Sequence, residues 1–355
     1  MLNSGDDALL MSSALSAKKF LSAQSIEISS PTRVKLPLLE AFGPRLASKQ
    51  SFRGENRFRH LWSAANANRI IFSGGSVLHC ASDINMKRLM MKLAGRGPHL
   101  ALGVGVGPFH TVRAEKACAK FLNECGYVGV RDEESFAVAT ALAPNANIEM
   151  TFDIAPLLID YIDENSIAAY QRRGIGVALC PKERLYGNPK AEQQRLRTIA
   201  VALTKAHRDS GEPIFLIDLN GHNNLGDAYV HQELRAYIPP GVPVFRVPYN
   251  SNPLRLMERL KTLRVVLGMR LHASILAFMV ETPVIALNHH SKCVGWCDQI
   301  GVPKVYRFDT HNIDGDILTG VLSHGLYNSF KAPKLSTSDA YKAARKNFEH
   351  ASALV

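Results

Sequence analysis

The sequence predicts an α/β protein built from two Rossmann-like domains facing a cleft. Three observations carry the prediction. Short apolar runs alternate with helical periodicity along most of the chain, the pattern of a parallel sheet covered by helices on both faces. The alternation halts in a polar stretch at residues 159–173 and then restarts. The length, 355 residues, exceeds what one hydrophobic core usually serves. The expected divisions are a first domain at 1–160, a second at 161–335 and a terminal helix at 336–355.

The first expected element is a helix from Asp6 to Phe20, with apolar residues at Leu9, Leu10, Leu15 and Phe20. Arg69–Phe72 reads as a strand ending in Ser73-Gly74-Gly75-Ser76, followed by a helix at about Asp83–Ala94. His99–Val104 is the next strand and runs into Gly103-x-Gly105-x-Gly107-Pro108. A helix over Val112–Glu124 leads to a strand at Tyr127–Val130. That strand ends at Arg131-Asp132, with Ser135 opening another helix. Ile148–Phe152 is the last strand of this half and stops at Asp153.

In the second half, strands at Gly174–Cys180, Pro213–Leu219 and Val242–Val247 alternate with helices at Ala191–Arg208, Gly226–Ala236 and Asn252–Lys261. Leu263–Leu267 then reads as a buried strand. Gly268 breaks it, and Ala273–Val280 reads as a helix. Pro283 stops that helix and opens a strand through Leu287. Ser338–Ala353 is the terminal helix.

With 46% apolar and 21% charged residues, the composition is that of an ordinary globular protein. No apolar run approaches the roughly 18–20 residues of a membrane span. No basic region followed by an apolar core marks a secretory signal, so a cytoplasmic protein is expected. The six cysteines are scattered, several inside apolar segments, which fits reduced thiols. A net charge of +11 fits an anionic partner, either a phosphorylated substrate or an anionic membrane surface, and equally a solvated basic surface. Nucleic acid is disfavoured because the basic residues are spread out and no recognition motif is present. One local cluster, Arg53, Arg57, Arg59 and His60 among Phe52, Phe58 and Trp62, reads as a peripheral binding patch or an exposed helix face.

Arg270 and His272 fall between a strand's C-terminal end and a helix N-terminus. In an open α/β sheet ligands bind there, and the helix N-terminus favours an anion. A lone histidine at a helix start is ordinarily a surface residue, and a lone arginine commonly pairs with a carboxylate. Lys292, after the next strand, shifts the balance by putting three cationic or titratable groups on adjacent strand ends. Arg131, at another strand end, can clamp a carboxylate or phosphate bidentately. Asp132 is expected to cap the helix that follows.

The glycines at 74, 75, 103, 105 and 107 allow backbone N–H groups to approach a ligand closely. Pro108 after the last of them, with no acidic residue placed on a second strand, counts against a dinucleotide fingerprint. His289, His290, Cys293 and Cys297 invite a zinc reading, but their spacing fits no standard site. Asp218, His222 and Asp227 are too loosely spaced to claim. No metal is expected.

In order and spacing these residues resemble the polysaccharide pyruvyl transferase family over roughly residues 3–300. The resemblance rests on Asn3-x-Gly5-Asp6, Phe72-Ser73-Gly74-Gly75, Gly103-x-Gly105-x-Gly107-Pro108, Arg131-Asp132-x-x-Ser135, Asp153-x-Ala155, Gly268-Met269-Arg270-Leu271-His272, and Pro283 through Lys292. It implies a glycosyltransferase-B-like fold and transfer of a pyruvyl group from phosphoenolpyruvate to a saccharide, usually as a cyclic ketal on two hydroxyls. It implies Arg131, Arg270, Leu271 and Lys292 as phosphoenolpyruvate ligands and His272 as general acid/base. Asp6, Gly74, Gly75, Gly105 and Gly107 fall on the acceptor side or its loops. No cofactor beyond the donor substrate is implied. A lipid-linked saccharide acceptor and peripheral membrane contact suit the charge, and an oligomer is compatible with it.

Two departures from the family pattern stand out. The family has a strand ahead of the Asn-x-Gly-Asp turn, and only two residues precede Asn3, so the first domain is expected without its first strand. His289-His290 replaces an aromatic or small residue. Two other readings remain. A nucleotide-sugar-dependent glycosyltransferase of this architecture needs a ribose and base site that the sequence does not reveal. A non-catalytic sugar-binding relative is disfavoured by the joint presence of Arg270, His272 and Lys292.

Overall fold

The computed structural model describes residues 2–28, 52–95, 97–163, 172–182 and 188–354. Part of the expected interdomain linker, residues 164–171, lies outside them. The chain divides into two compact units, each α/β. One comprises Asp6–Leu158 with Ser338–Val355, and the other comprises Leu2–Gly5 with Ile159–Thr337. The terminal helix, set apart in the sequence reading, therefore belongs to the first unit. Leu2–Gly5 belongs to the second.

The first unit holds helix α1 (Ser4–Phe20) beyond its opening residues, then α2 (Glu55–Ala65), β1 (Ile71–Ser73), β2 (Ser76–Leu78) and α3 (Ala81–Leu93). It continues with β3 (Leu100–Val106), α4 (Val112–Glu124), β4 (Tyr127–Val130), α5 (Glu133–Leu142) and β5 (Ile148–Met150). All strand pairs are parallel. β1 pairs with the first half of β3 and β2 with its end, so the two are one strand interrupted at Gly74-Gly75. The sequence reading had a loop where β2 stands. β3 is buried along its whole length, which explains its continuous apolar run. Behind it Phe72 and Phe121 meet edge to face at 5.2 Å between centroids.

The register of β3 against β4 shifts between Ala101 and Val104. The irregularity leaves Gly103 N–H turned out of the ladder. Asn347, fully buried on the terminal helix, accepts from it at 2.7 Å and from the Thr151 hydroxyl at 2.8 Å. Its amide nitrogen donates to Phe152 O at 3.0 Å. One side chain thus satisfies a bulge in the sheet and anchors the end of the chain.

The second unit holds β6 (Ile175–Ala178), α6 (Pro189–Ser210), β7 (Ile214–Ile217), α7 (Asp227–Tyr237), β8 (Val244–Val247) and α8 (Pro253–Lys261). Then come β9 (Val265–Gly268), α9 (Leu271–Met279), β10 (Val284–Asn288), α10 (Ser291–Ile300), β11 (Arg307–Asp309) and α11 (Gly315–Tyr327). The last helix, α12 (Thr337–Ser352), is the one carrying Asn347. The strand order is β11-β10-β9-β6-β7-β8, all parallel. Numbered from β6, this is the 3-2-1-4-5-6 order of a doubly wound sheet, whose direction of winding reverses between β6 and β9. A crevice at that reversal is where such sheets take ligands. No described helix is long and apolar enough to cross a membrane.

Candidate anion-binding site

The reversal point falls on the sequence's strongest motif. Ala178, at the end of β6, pairs with Gly268, at the end of β9. Met269 and Arg270 then donate their backbone N–H groups to Ala178 O at 2.9 and 3.3 Å. This ties Arg270, the residue capping α9, to the crevice. His272 follows in the first turn of α9 and is half-buried.

Arg270 is held by Asp227, which is completely buried at the start of α7. The guanidinium Nε lies 3.2 Å from Asp227 Oδ1, and Nη2 bonds the same oxygen. The other carboxylate oxygen accepts the N–H groups of Leu219 and Asn220 at 3.0 and 2.9 Å. Beside it, buried Asp218 accepts from Arg246 Nε at 2.7 Å and meets His231 Nδ1 at 2.6 Å. His231 Nε2 in turn accepts from Leu179 N–H at 3.1 Å, which fixes the proton on Nδ1. These two carboxylates brace the strand ends around the crevice. In the sequence the two are nine residues apart and, with His222, too loosely spaced to claim as a site.

The neighbouring strand ends add positive charge. Lys292 lies in the first turn of α10, after β10. Lys182, just past β6, donates to His289 O at 2.6 Å and lies 3.5 Å from His311 Nε2, beyond β11. His289 feels the whole cluster. Burial first, then Lys182, Lys292, Arg270 and His290, push its imidazole down to about 4. Its two nitrogens face different thiols, Cys180 and Cys293, each at 3.8 Å. Burial pushes the Cys180 thiol up to about 11, so it stays protonated. His290 caps α10 through Nδ1, which accepts from Lys292 N–H. Lys182 escaped the sequence reading, although its place four residues past β6 obeys the same strand-end rule that found Lys292.

The N-terminal turn completes this neighbourhood. Leu2–Gly5 belongs to the second unit, where Ser4 N–H donates to Leu219 O and Gly221 N–H to Leu2 O, both at 2.9 Å. Gly5 packs directly on the His272 ring. A side-chain carbon added to Gly5 would sit 2.7 Å from His272 Cγ. Asp6 is the next residue along α1 and is half-buried.

The other motif residues gather at the carboxyl edge of the first unit's sheet. Gly105 N–H donates to Gly75 O at 2.8 Å, and Gly107 N–H to Leu78 O at 3.0 Å. Buried Arg131 packs beside Gly105 and bonds Asp153 Oδ2 at 3.3 Å, Asp132 Oδ2 at 3.4 Å and Ser76 Oγ at 3.1 Å. Asp132 caps α5 by accepting from Ser135 N–H at 2.8 Å. The charge of Arg131 is thus answered by two carboxylates of its own unit. Gly74 sits against Leu9 of α1. A cavity of about 1280 Å³ in this unit, lined by Leu10, Ala14, Ile71 and Met86 among others, takes in Phe72 and Ser73 of the motifs but neither Arg131 nor the motif glycines.

A family model for polysaccharide pyruvyl transferase matches residues 3–291. Among solved structures, the UDP-GlcNAc 2-epimerase of Methanocaldococcus jannaschii is similar at a TM-score of 0.58 and 12% identity, covering 86% of this chain and 84% of that one. The UDP-GlcNAc 2-epimerase of Neisseria meningitidis, bound to UDP-GlcNAc, gives 0.56 at 9% identity, covering 99% and 96%. At such identities the likeness concerns the fold: two Rossmann-like α/β units of the glycosyltransferase-B type.

Proposed function

The chain belongs to the polysaccharide pyruvyl transferase family, and from that premise we propose that it moves the pyruvyl group of phosphoenolpyruvate onto two hydroxyls of a saccharide, closing a cyclic ketal. The observation that carries the reading is the meeting of Arg270, Lys182 and Lys292 around the reversal point of the second sheet, with His272 in the adjoining helical turn. Phosphoenolpyruvate brings a phosphate and a carboxylate, and a cluster of fixed cations is what such a dianion needs. Leu271 and the opening N–H groups of α9 add the helix N-terminus.

In the reaction, a sugar hydroxyl oxygen bonds C2 of the enol and loses its proton, while C3 takes up a proton and becomes a methyl group. Phosphate leaves C2 with the bonding pair. The second hydroxyl then bonds the same carbon and releases its proton. His272 is the group assigned to these transfers, a role worth on the order of 10² to 10⁴ in rate. The cations of the chain neutralise the departing phosphate, so the scheme invokes no metal and no cofactor. Asp6 and the loops of Gly74, Gly75, Gly105 and Gly107 are assigned to the acceptor. For Arg131 to bind donor it must exchange Asp132 or Asp153 for the substrate anion.

The test is phosphate release from phosphoenolpyruvate across a panel of saccharide acceptors. Acceptor-dependent release is expected, abolished in His272→Ala with phosphoenolpyruvate binding retained. Unchanged turnover in that variant removes His272 from its role. Thermal stabilisation by uridine diphosphate without any response to phosphoenolpyruvate would favour a nucleotide-sugar enzyme instead.

A further inference from the structure

Helix α2 is amphipathic in the reverse sense, with its apolar side turned to solvent. Trp62 is 65% exposed and Phe58 57%, and their rings stack at 6.2 Å. Phe52, just ahead of the helix, is 56% exposed. At about 3.6 residues per turn, Leu61, Ala65, Phe58 and Trp62 form one continuous stripe, with Arg57 along one margin and Arg59 along the other. Ala65 and Arg57 are exposed, and Leu61 is half-buried. The acidic residue of the helix, Glu55, lies one turn before Arg59 on the same margin, where it is buried and bonded to Arg59. Arg53 extends the basic margin beyond the N-terminus.

An apolar stripe rimmed by arginines and carrying a tryptophan matches the bilayer interface. The rings enter the headgroup boundary and the guanidinium groups meet lipid phosphates. A protein face with an acidic rim is the competing occupant, because arginine is also enriched at protein interfaces, and the vesicle measurements below separate the two. The charge of the margins, within a chain of net charge +11, selects an anionic surface. We propose that α2 is a membrane-docking helix that seats the first unit on anionic lipid through Phe52, Phe58 and Trp62, with Arg53 and Arg57 on the headgroups. This assignment is independent of the donor chemistry and fails or holds separately from it.

The two tryptophans make a direct test. Trp62 is exposed, whereas Trp296 is buried, at 4% exposure. Vesicles of phosphatidylcholine mixed with phosphatidylserine are expected to shift the emission of the full chain to the blue, weakly so without phosphatidylserine and less with added salt. Trp62→Phe should remove the shift yet still sediment with vesicles. The double variant Phe58→Ser, Trp62→Ser should lose at least about tenfold in vesicle partitioning. Should that variant misfold, Arg53→Glu with Arg57→Glu keeps the aromatic stack and should lose binding to anionic vesicles alone. Absence of any shift, or wild-type partitioning by folded variants, overturns the proposal. So does a dimer in vesicle-free solution that the double variant dissolves, since the stripe would then be a self-association face.

Discussion

Gly5→Ala separates two physical expectations of opposite sign. Gly5 lies in the first turn of α1, and its backbone needs no unusual conformation. By helix propensity alone, alanine there should stabilise by up to about 1 kcal/mol. The second effect is steric. The added carbon would lie 2.7 Å from His272 Cγ and 3.1 Å from its Cβ, where about 3.5–4.0 Å is the ordinary carbon–carbon contact. Relief requires the imidazole to move by roughly 1 Å, and a displacement of that size at a reacting group can cost about 10²-fold in rate. The backbone of residues 2–5 is tied to Leu219 and Gly221 by the bonds described above, so the ring yields rather than the turn. The expected result is a folded protein with its melting temperature little changed and its phosphate release from phosphoenolpyruvate down by about two orders of magnitude. Wild-type turnover in Gly5→Ala would refute the idea that the Asn3-x-Gly5-Asp6 turn exists to seat His272.

Three further predictions concern the groups that hold the site and the fold. Asp227→Ala leaves the N–H groups of Leu219 and Asn220 without their acceptor and Arg270 without its brace. The cost in urea unfolding should be about 2–4 kcal/mol, below that of a fully buried pair because Arg270 reaches solvent, and phosphoenolpyruvate binding should weaken with it. His289 titrates near 4 in the folded chain against an ordinary 6.5. The unfolded chain therefore binds the proton first. Stability is whole above pH about 6.5 and falls by on the order of 2–3 kcal/mol as pH drops towards 4, a slope that His289→Gln should flatten in pH-dependent melting. Asn347→Leu orphans Gly103 N–H and Phe152 O in the first unit and should cost about 3–5 kcal/mol in chemical denaturation. A loss under 1 kcal/mol would show that water or a shifted backbone replaces those bonds.

The legibility of the chain follows the range of the forces involved. Hydrophobic periodicity is local, so α4 and β4 stand within the bounds the sequence predicts and most other elements within a few residues. The Gly268–His272 motif was equally legible, because a glycine after a buried strand and an apolar helix behind it place Arg270 and His272 at a strand end whatever the rest of the chain does. What could not be read depended on contacts between distant residues. The Arg270–Asp227 pair joins residues 43 apart in sequence, and Asn347 reaches back 244 residues to Gly103. Lys182 obeys the local strand-end rule, but its part in the cluster shows only once β6 is known to lie beside β9, a consequence of the winding order.

The same limit explains why Arg131 and Arg270 read alike in the sequence and differ in the structure. Both follow a buried strand, and both carry a charge that must be balanced. Arg131 is buried and meets two carboxylates and a hydroxyl. Arg270 is partly open and bonds Asp227, on the edge where Lys182 and Lys292 add positive charge. An incoming dianion meets Lys182 and Lys292 beside Arg270, whereas at buried Arg131 it must first displace an acid. Binding measurements should rank the two accordingly. Arg270→Lys should weaken phosphoenolpyruvate binding with the fold intact, because a point charge cannot keep the forked contact to Asp227. Arg131→Lys should chiefly lower the stability of the first unit. The reverse ranking would mean that the donor anion is taken at Arg131.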